Sequence, residues 1–484
     1  MKKYVMSETS KAVSDIVSLS DELENKYRRS LSDPDILHDC RKILQAIVEL
    51  EDIVPFELNE LPKMMMAFID SVIDLSFDGK TSKEAINVKA SELIPVVEGF
   101  SGICQRGYLD HFTDIPGGGL SDVRVEDLKD RDFKRHALLV YRVSPFMDNI
   151  GIKGHTTAQD ARSISEVLDE LGYSVDVINP WYEGELDHGK YDLVIGFRKA
   201  FEDMLPLLRE DCVKIYYLTT MNSYIANMAE MKRIEEFYKR NKMRPAYRRL
   251  EYSCMDLERI YMCDGAICLG NGYTVSTYEG MFKKLLAQNV SGFKVNVDRT
   301  NAPEKKGFLW YGGAGSLHKG LDLCIEAFRD IQDLNLHIVG KIDDDIYEFY
   351  RDEIEGSSNV FYHGYLYHDD KEFIDVCADC SFSLGVSCSE SQSTAMITAI
   401  FAGLVPVCCD ETGIDTEEYG GIRIGSSNIK ELKETVIAVS KMTDEEIRKR
   451  RLKGAERVRH FHTTEAYKDL LRLNIMTIIS GEAK

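Results

Sequence analysis

From about residue 136 onward, short strand-like runs alternate with helical stretches. No other feature of this chain restricts its fold so strongly. The first series of runs covers 136–143, 173–178, 191–197, 214–219, 265–269 and 293–297. The second covers 308–311, 336–340, 360–363, 382–387, 405–408 and 422–424. Strands separated by helices cannot form hairpins. They run parallel, with helices covering both faces of the sheet.

The helices between the runs carry the matching signal. Over 157–171, Ala158, Ala161, Ile164, Val167, Leu168 and Leu171 fall on one face. In the second series, 321–331 and 394–402 read as helices. Each series spans about 150–170 residues, a normal domain size. The expected architecture is therefore α/β, with two facing Rossmann-like domains at 135–298 and 299–484. The last helix is a candidate to cross back to the first domain. In open α/β sheets ligands lie beyond the carboxyl ends of the strands, so the cleft between the domains is the expected site.

Residues 6–112 read as helices, giving an N-terminal all-helical extension over 1–120. Asp33 caps a helix whose first residue is Pro34. Thr81 and Glu84 have the spacing of a capping box. Met64, Met65 and Met66 serve as core filler or as a partner surface. Residues 116–119 (Pro-Gly-Gly-Gly) and the charged run 121–134 read as a linker. A long helical stretch, 224–261, interrupts the first series. It carries Arg244, Arg248 and Arg249 around Pro245, either a solvated face or a patch for an anionic or lipid-phosphate acceptor.

Bulk charge narrows the functional classes. The formal net charge is −21, so the overall field repels nucleic acid and anionic membranes. Twelve cysteines are scattered without a framework spacing, and Cys377 and Cys380 have no second pair to complete a zinc site. Small buried hydrophobes in a reducing compartment are the expected role. No apolar run reaches the ~18–20 residues of a membrane span, and residues 4–20 are too polar for a signal sequence. A cytoplasmic protein is expected.

Two segments carry chemistry. The first is Phe308-Leu-Trp-Tyr-Gly-Gly-Ala-Gly-Ser-Leu-His-Lys-Gly320, where an apolar run ends in Gly312, Gly313 and Gly315 and a helix follows Lys319. Backbone N–H groups at such a turn, the helix N-terminus and a lysine together suit a diphosphate. Gly320 after Lys319 excludes a P-loop, and His318 stands where a dinucleotide fingerprint needs its third glycine. Taken alone, an ordinary glycine-rich turn with a solvated lysine explains the segment equally well. The second is Gly385-Val-Ser-Cys-Ser-Glu-Ser-Gln-Ser-Thr394, followed by a nearly all-apolar helix. Glu390 either sits favourably at a helix N-terminus or accepts hydrogen bonds from sugar hydroxyls. The buried helix would hold Ser391, Gln392, Ser393 and Thr394 rigidly beside it.

With both segments in order, residues 136–470 resemble the retaining nucleotide-sugar glycosyltransferases of GT-B architecture in the large family numbered four, most strongly over 307–415. The turn ending Lys319-Gly320 is similar to that family's phosphate motif. Glu390 matches the first glutamate of its Glu-x7-Glu motif, and Ala402-Gly403-Leu404-Val405-Pro406-Val407 resembles the segment after it. Two positions depart from the pattern. Thr398 stands at the second glutamate, which in the family holds the ribose, and Gly313 and Ala314 stand where it tends to place an arginine. A sub-branch feature and a loss of activity are the competing explanations for Thr398.

The resemblance implies transfer of a hexose-type sugar from a UDP- or GDP-sugar to a hydroxyl acceptor (glycan, lipid-linked or protein), with retention and without a bound metal or other cofactor. Lys319 and Glu390 would be catalytic, joined by His155 from a loop that includes Gly154 and Thr156. Gly312, Gly313, Gly315, Ser391–Thr394 and Thr398 would line the donor side. Gly154, His155, Thr156, Asn271, Arg244 and Arg248 would face the acceptor. Asp343-Asp-Asp345 reads as a helix cap, not a cation site. The rival is a non-catalytic scaffold that binds a sugar nucleotide and recruits a partner, or a second copy, through its N-terminal helices.

Overall fold

A computed structural model of the chain describes residues 3–5, 8–29, 33–50, 53, 61–111, 119–130, 133–147, 156–251, 255–299, 304, 307–425 and 428–481. They fall into two compact units. One comprises Met1–Arg131, Tyr141–Ile150 and Asp176–Leu186. The other comprises Asp132–Val140, Gly151–Val175 and Asp187–Lys484.

In the first unit the helical periodicity produces helices Glu8–Arg29, Pro34–Leu50, Leu61–Phe77, Lys83–Ser91 and Ile94–His111. The first packs on the second and fifth, and the second on the third. Their apolar stripes meet in a core that includes Ile16, Leu23, Leu37, Leu44, Ile69, Val72 and Phe100. Asp33 caps as expected, its carboxylate accepting the Asp35 N–H at 3.0 Å. The Thr81 capping box does not form. Asp78 takes the Thr81 hydroxyl at 2.7 Å, and Ser82 caps the Ala85 N–H instead. Met65 is buried while Met64 is 66% exposed, so the methionine cluster divides between core and surface. Strands β1 (Lys3–Val5) and β2 (Arg124–Glu126) pair antiparallel.

The second unit holds two sets of parallel strands, of which Tyr173–Ile178 continues into the first unit from Asp176. The first contains β3 (Arg135–Val140), β4 (Tyr173–Ile178), β5 (Leu193–Gly196), β6 (Val213–Leu218), β7 (Gly265–Leu269) and β8 (Leu285–Gln288), in the order β4-β3-β5-β6-β7-β8. The second contains β9 (Gly307–Tyr311), β10 (Leu336–Val339), β11 (Val360–Tyr362), β12 (Cys380–Gly385), β13 (Val405–Cys408) and β14 (Ile422–Arg423), in the order β11-β10-β9-β12-β13-β14. The central strands are buried along their whole length, as parallel strands covered on both faces must be.

Two further expectations need correction. Residues 293–297 form no strand. Their alternating apolar residues pack on the second sheet's helices, with Val295 in the core beside Leu309 and Ala399, and the Phe293 ring stacks on His368 at 3.9 Å. The Phe293 N–H donates to Thr398 Oγ1 at 3.4 Å, so it joins no ladder. The sixth strand is Leu285–Gln288, which ladders on β7. The helix expected over 224–261 stops early. Ser223–Asn241 ends where Lys242 turns left-handed (φ 59°), and Pro245 cannot resume it.

Helix Ser223–Asn241 buries Ile234 and Phe237 in the second sheet's core, against a set that includes Trp310, Leu321 and Phe328. Its Arg233, fully buried, donates to the Val386 carbonyl at 2.9 Å and lies 3.6 Å from Asp322. The last helix, Thr464–Ile479, packs on helix Thr156–Glu170 and the first sheet. Tyr467 and Tyr217 share a 2.5 Å hydroxyl contact there. The two sheets are thus joined in both chain directions.

Candidate active site

The site is built at the carboxyl ends of β9 and β12, where two turns meet. After β9 the Gly312 N–H closes onto Val339 O at 3.0 Å. Gly315 then adopts φ +82° and Gly320 φ +75°, conformations in which a side chain would be strained. Between them the chain coils so that Lys319 N–H reaches Gly315 O at 2.9 Å. Trp310 Nε1 holds the Lys319 carbonyl at 3.2 Å, fixing where the lysine side chain starts. Helix Leu321–Arg329 begins at once.

After β12 the second turn delivers Glu390. Its carboxylate forms an ion pair with Lys319 Nζ and accepts from Ser387 Oγ at 3.4 Å. Both charged side chains are mostly buried, 17% and 13% exposed. Burial alone would raise the Glu390 pKa, but the charges of Lys319, Arg249 and His318 overcome it and hold the carboxyl at about 2. A cleft beside the pair is lined by Trp310, Tyr311, Ser383, Ser387, Ser393 and Met396.

His318 fastens the two turns together. It is buried, with Nε2 2.6 Å from Ser389 O and Nδ1 3.1 Å from Glu230 Oε2 on helix Ser223–Asn241. Cys388 Sγ lies 3.3 Å from Nδ1. Burial opposes protonation, but Cys388, Glu230 and Glu390 outweigh it and push the pKa up to about 9. The folded chain thus favours the protonated imidazole more than an ordinary histidine site does. Glu230 also accepts the N–H groups of Arg248 and Arg249, at 2.7 and 2.9 Å.

The amide-lined turn is only partly open. Gly315 and Ser316 give their N–H groups to the Asp343 carboxylate, at 3.3 and 2.7 Å. Those of Gly313 and Ala314 have no acceptor among the described residues. Asp343 stands at the N-cap position of helix Asp344–Phe349 but bonds across to the turn instead of to its own helix. Asp345 accepts the Ala246 N–H at 2.9 Å and pairs with Arg248 at 3.3 Å. Among the described residues no three acidic, histidine or cysteine side chains are grouped to hold a metal ion.

The other expected residues divide. Gly312, Gly313, Gly315, Lys319 and Glu390 come together. Ser393 caps its helix through Met396 N–H at 3.4 Å and lines the cleft. Ser391 accepts the Thr274 hydroxyl at 2.6 Å through its carbonyl. Gln392 is buried and accepts Val290 N–H at 3.1 Å, so it braces the connection between the sheets. Thr394 O accepts the Thr398 hydroxyl at 2.8 Å, and Thr398, 1% exposed, turns into the protein toward Phe293. Asn271 caps helix Gly272–Ser276 and donates to Asp415 at 2.8 Å. Arg244 lies 3.6 Å from Glu235, and Thr156 is buried at the start of its helix. Gly154 and His155 lie outside the described residues.

Residues 293–458 match the family described as Glycosyl transferases group 1. That segment holds the whole second sheet and ends before the last helix. Among solved structures, sucrose-phosphate synthase from Thermosynechococcus elongatus aligns over 72% of this chain and 100% of its own, at 13% identity and a TM-score of 0.50. WaaG, a glycosyltransferase involved in lipopolysaccharide biosynthesis, aligns over 72% and 100%, at 13% and 0.45. TarM of S. aureus aligns over 66% of this chain and 59% of its own, at 14% and 0.43. No curated protein sequence matches. The matched domain is that of glycosyl transferases, and the fold is GT-B.

The matched segment spans both turns, but three residues that meet there escape a linear reading. Glu230 and Arg249 lie outside the matched segment, and His318 was legible only as the residue that breaks a dinucleotide fingerprint. Glu230 meets His318 across 88 positions of sequence, and no local pattern announces that contact. Among the described residues no helix is long and apolar enough to cross a membrane.

Proposed function

We propose that the chain transfers a sugar from a UDP- or GDP-sugar to a hydroxyl acceptor with retention of configuration, in the cytoplasm and without a bound metal. The observation that carries this reading is the Lys319–Glu390 ion pair, set between a glycine turn with two open amides and the buried His318. Lys319 and the amides of Gly313 and Ala314 stabilise the departing diphosphate, whose charge grows in the transition state. A donor phosphate draws Lys319 away and frees Glu390 to accept hydrogen bonds from the sugar hydroxyls. Its depressed pKa keeps it an acceptor at any physiological pH. The departing phosphate takes the acceptor proton. The free cysteines of the described residues fit a reducing compartment.

One observation favours the scaffold reading. Thr398, at the ribose position of the resembling family, is turned inward. Incubation with labelled UDP- and GDP-sugars separates the two. The enzyme reading expects slow hydrolysis of one donor, and Lys319→Ala or Glu390→Ala lowers it by ~10²-fold or more, the scale of a lost transition-state contact. Binding without turnover supports the scaffold. Equal rates in wild type and both variants would remove these residues from the mechanism.

A further inference from the structure

Positions 313 and 314, whose amides are open, carry no side-chain cation of their own. A cation reaches them from elsewhere in the chain. Arg249 lies against the turn so closely that a Cβ on Gly315 would sit 2.7 Å from its Cγ and 2.9 Å from its Cδ. Gly315 is thus needed twice, for its φ of +82° and for the passage of this side chain.

The arginine is anchored at its backbone and free at its tip. Its N–H is held by Glu230, the carboxylate that also grips His318 of the turn. Its neighbours are committed elsewhere: Arg248 to Asp345, Arg244 to Glu235, Arg240 to Asp322, and Arg233 to Val386 O. The Arg249 guanidinium makes no hydrogen bond or ion pair among the described residues. It is nevertheless near enough to act on the Glu390 carboxylate. An exposed, unpaired guanidinium beside two open amides and a lysine has the fork geometry that matches a pyrophosphate.

We propose that Arg249 supplies the second cation of the donor site, so that the pyrophosphate is clasped by Lys319 and the Gly313–Ala314 amides from one sheet's domain and by Arg249 from the segment following helix Ser223–Asn241. The inference rests on the donor-site reading above and deepens it. Recognition of the diphosphate then draws on chain from outside the matched segment.

Calorimetric titration of the full chain with UDP, GDP, UMP and GMP tests it. Arg249→Ala weakens the preferred nucleoside diphosphate by about tenfold or more, as loss of a charge-assisted contact implies, and weakens the matching monophosphate less. Arg249→Lys, which keeps the charge but not the fork, recovers part of the affinity. Lys239→Ala, an exposed cation on the preceding helix, stays within about twofold of wild type. The inference is overturned if Arg249→Ala binds the diphosphate as wild type does while Lys319→Ala loses it, since the turn then works without help. It is also overturned if mono- and diphosphate weaken equally. If wild type binds neither UDP nor GDP, the donor-site reading itself fails and takes the inference with it.

Discussion

At the residue scale, His318 decides how firmly the two turns are joined. Its pKa rises from an ordinary 6.5 to about 9 in the folded chain. Its stabilisation is therefore complete below pH 6.5 and fades as the pH climbs through 9. Thermal unfolding of wild type and His318→Gln across pH 6.5–9.5 checks this. Wild type is expected to lose roughly 3 kcal/mol of advantage over the variant across that range. Parallel curves would mean that the imidazole is neutral. The sequence exposed Lys319 and Glu390 because each sits at a strand-to-helix turn with a recognisable local pattern. It hid His318 because its partners, Glu230 and Ser389, are 88 and 71 positions away.

At the element scale, the Pro34 helix start and the buried strands were legible, since caps and apolar runs are local, whereas the Thr81 box gave way to Asp78 and Ser82. The strand at 293–297 was misread because alternation alone cannot tell a ladder from an extended segment packed on helices. Two element-level predictions follow from burial. A Cβ on Gly320 would lie 2.4 Å from Val386 O, with φ at +75°. Gly320→Ala should destabilise the fold by at least about 2 kcal/mol in urea denaturation, through backbone strain and this collision. Arg233 and Asp322 are 1% and 0% exposed. Arg233→Met, which leaves the buried Asp322 carboxylate with Arg240 as its remaining cation, should cost about 1–3 kcal/mol, and adding Asp322→Leu should restore part of it. If the double variant is no better than the single, the carboxylate was not the source of the loss.

At the scale of the whole molecule, the two Rossmann-like domains were legible because β/α alternation admits few topologies. Their joining was not. Helix Ser223–Asn241 lies in the first series yet builds the second sheet's core, and Thr464–Ile479 returns to the first sheet. The first of these crossings brings Glu230 and Arg249 to the turn after β9. The most direct test of the donor site is a crystal structure of the full chain with UDP- or GDP-sugar bound. The predicted map places the pyrophosphate on the amides of Gly313 and Ala314, with Lys319 swung from Glu390 onto a phosphate oxygen and Glu390 against the sugar. Nucleotide density anywhere else, with the Lys319–Glu390 pair still closed, would contradict it.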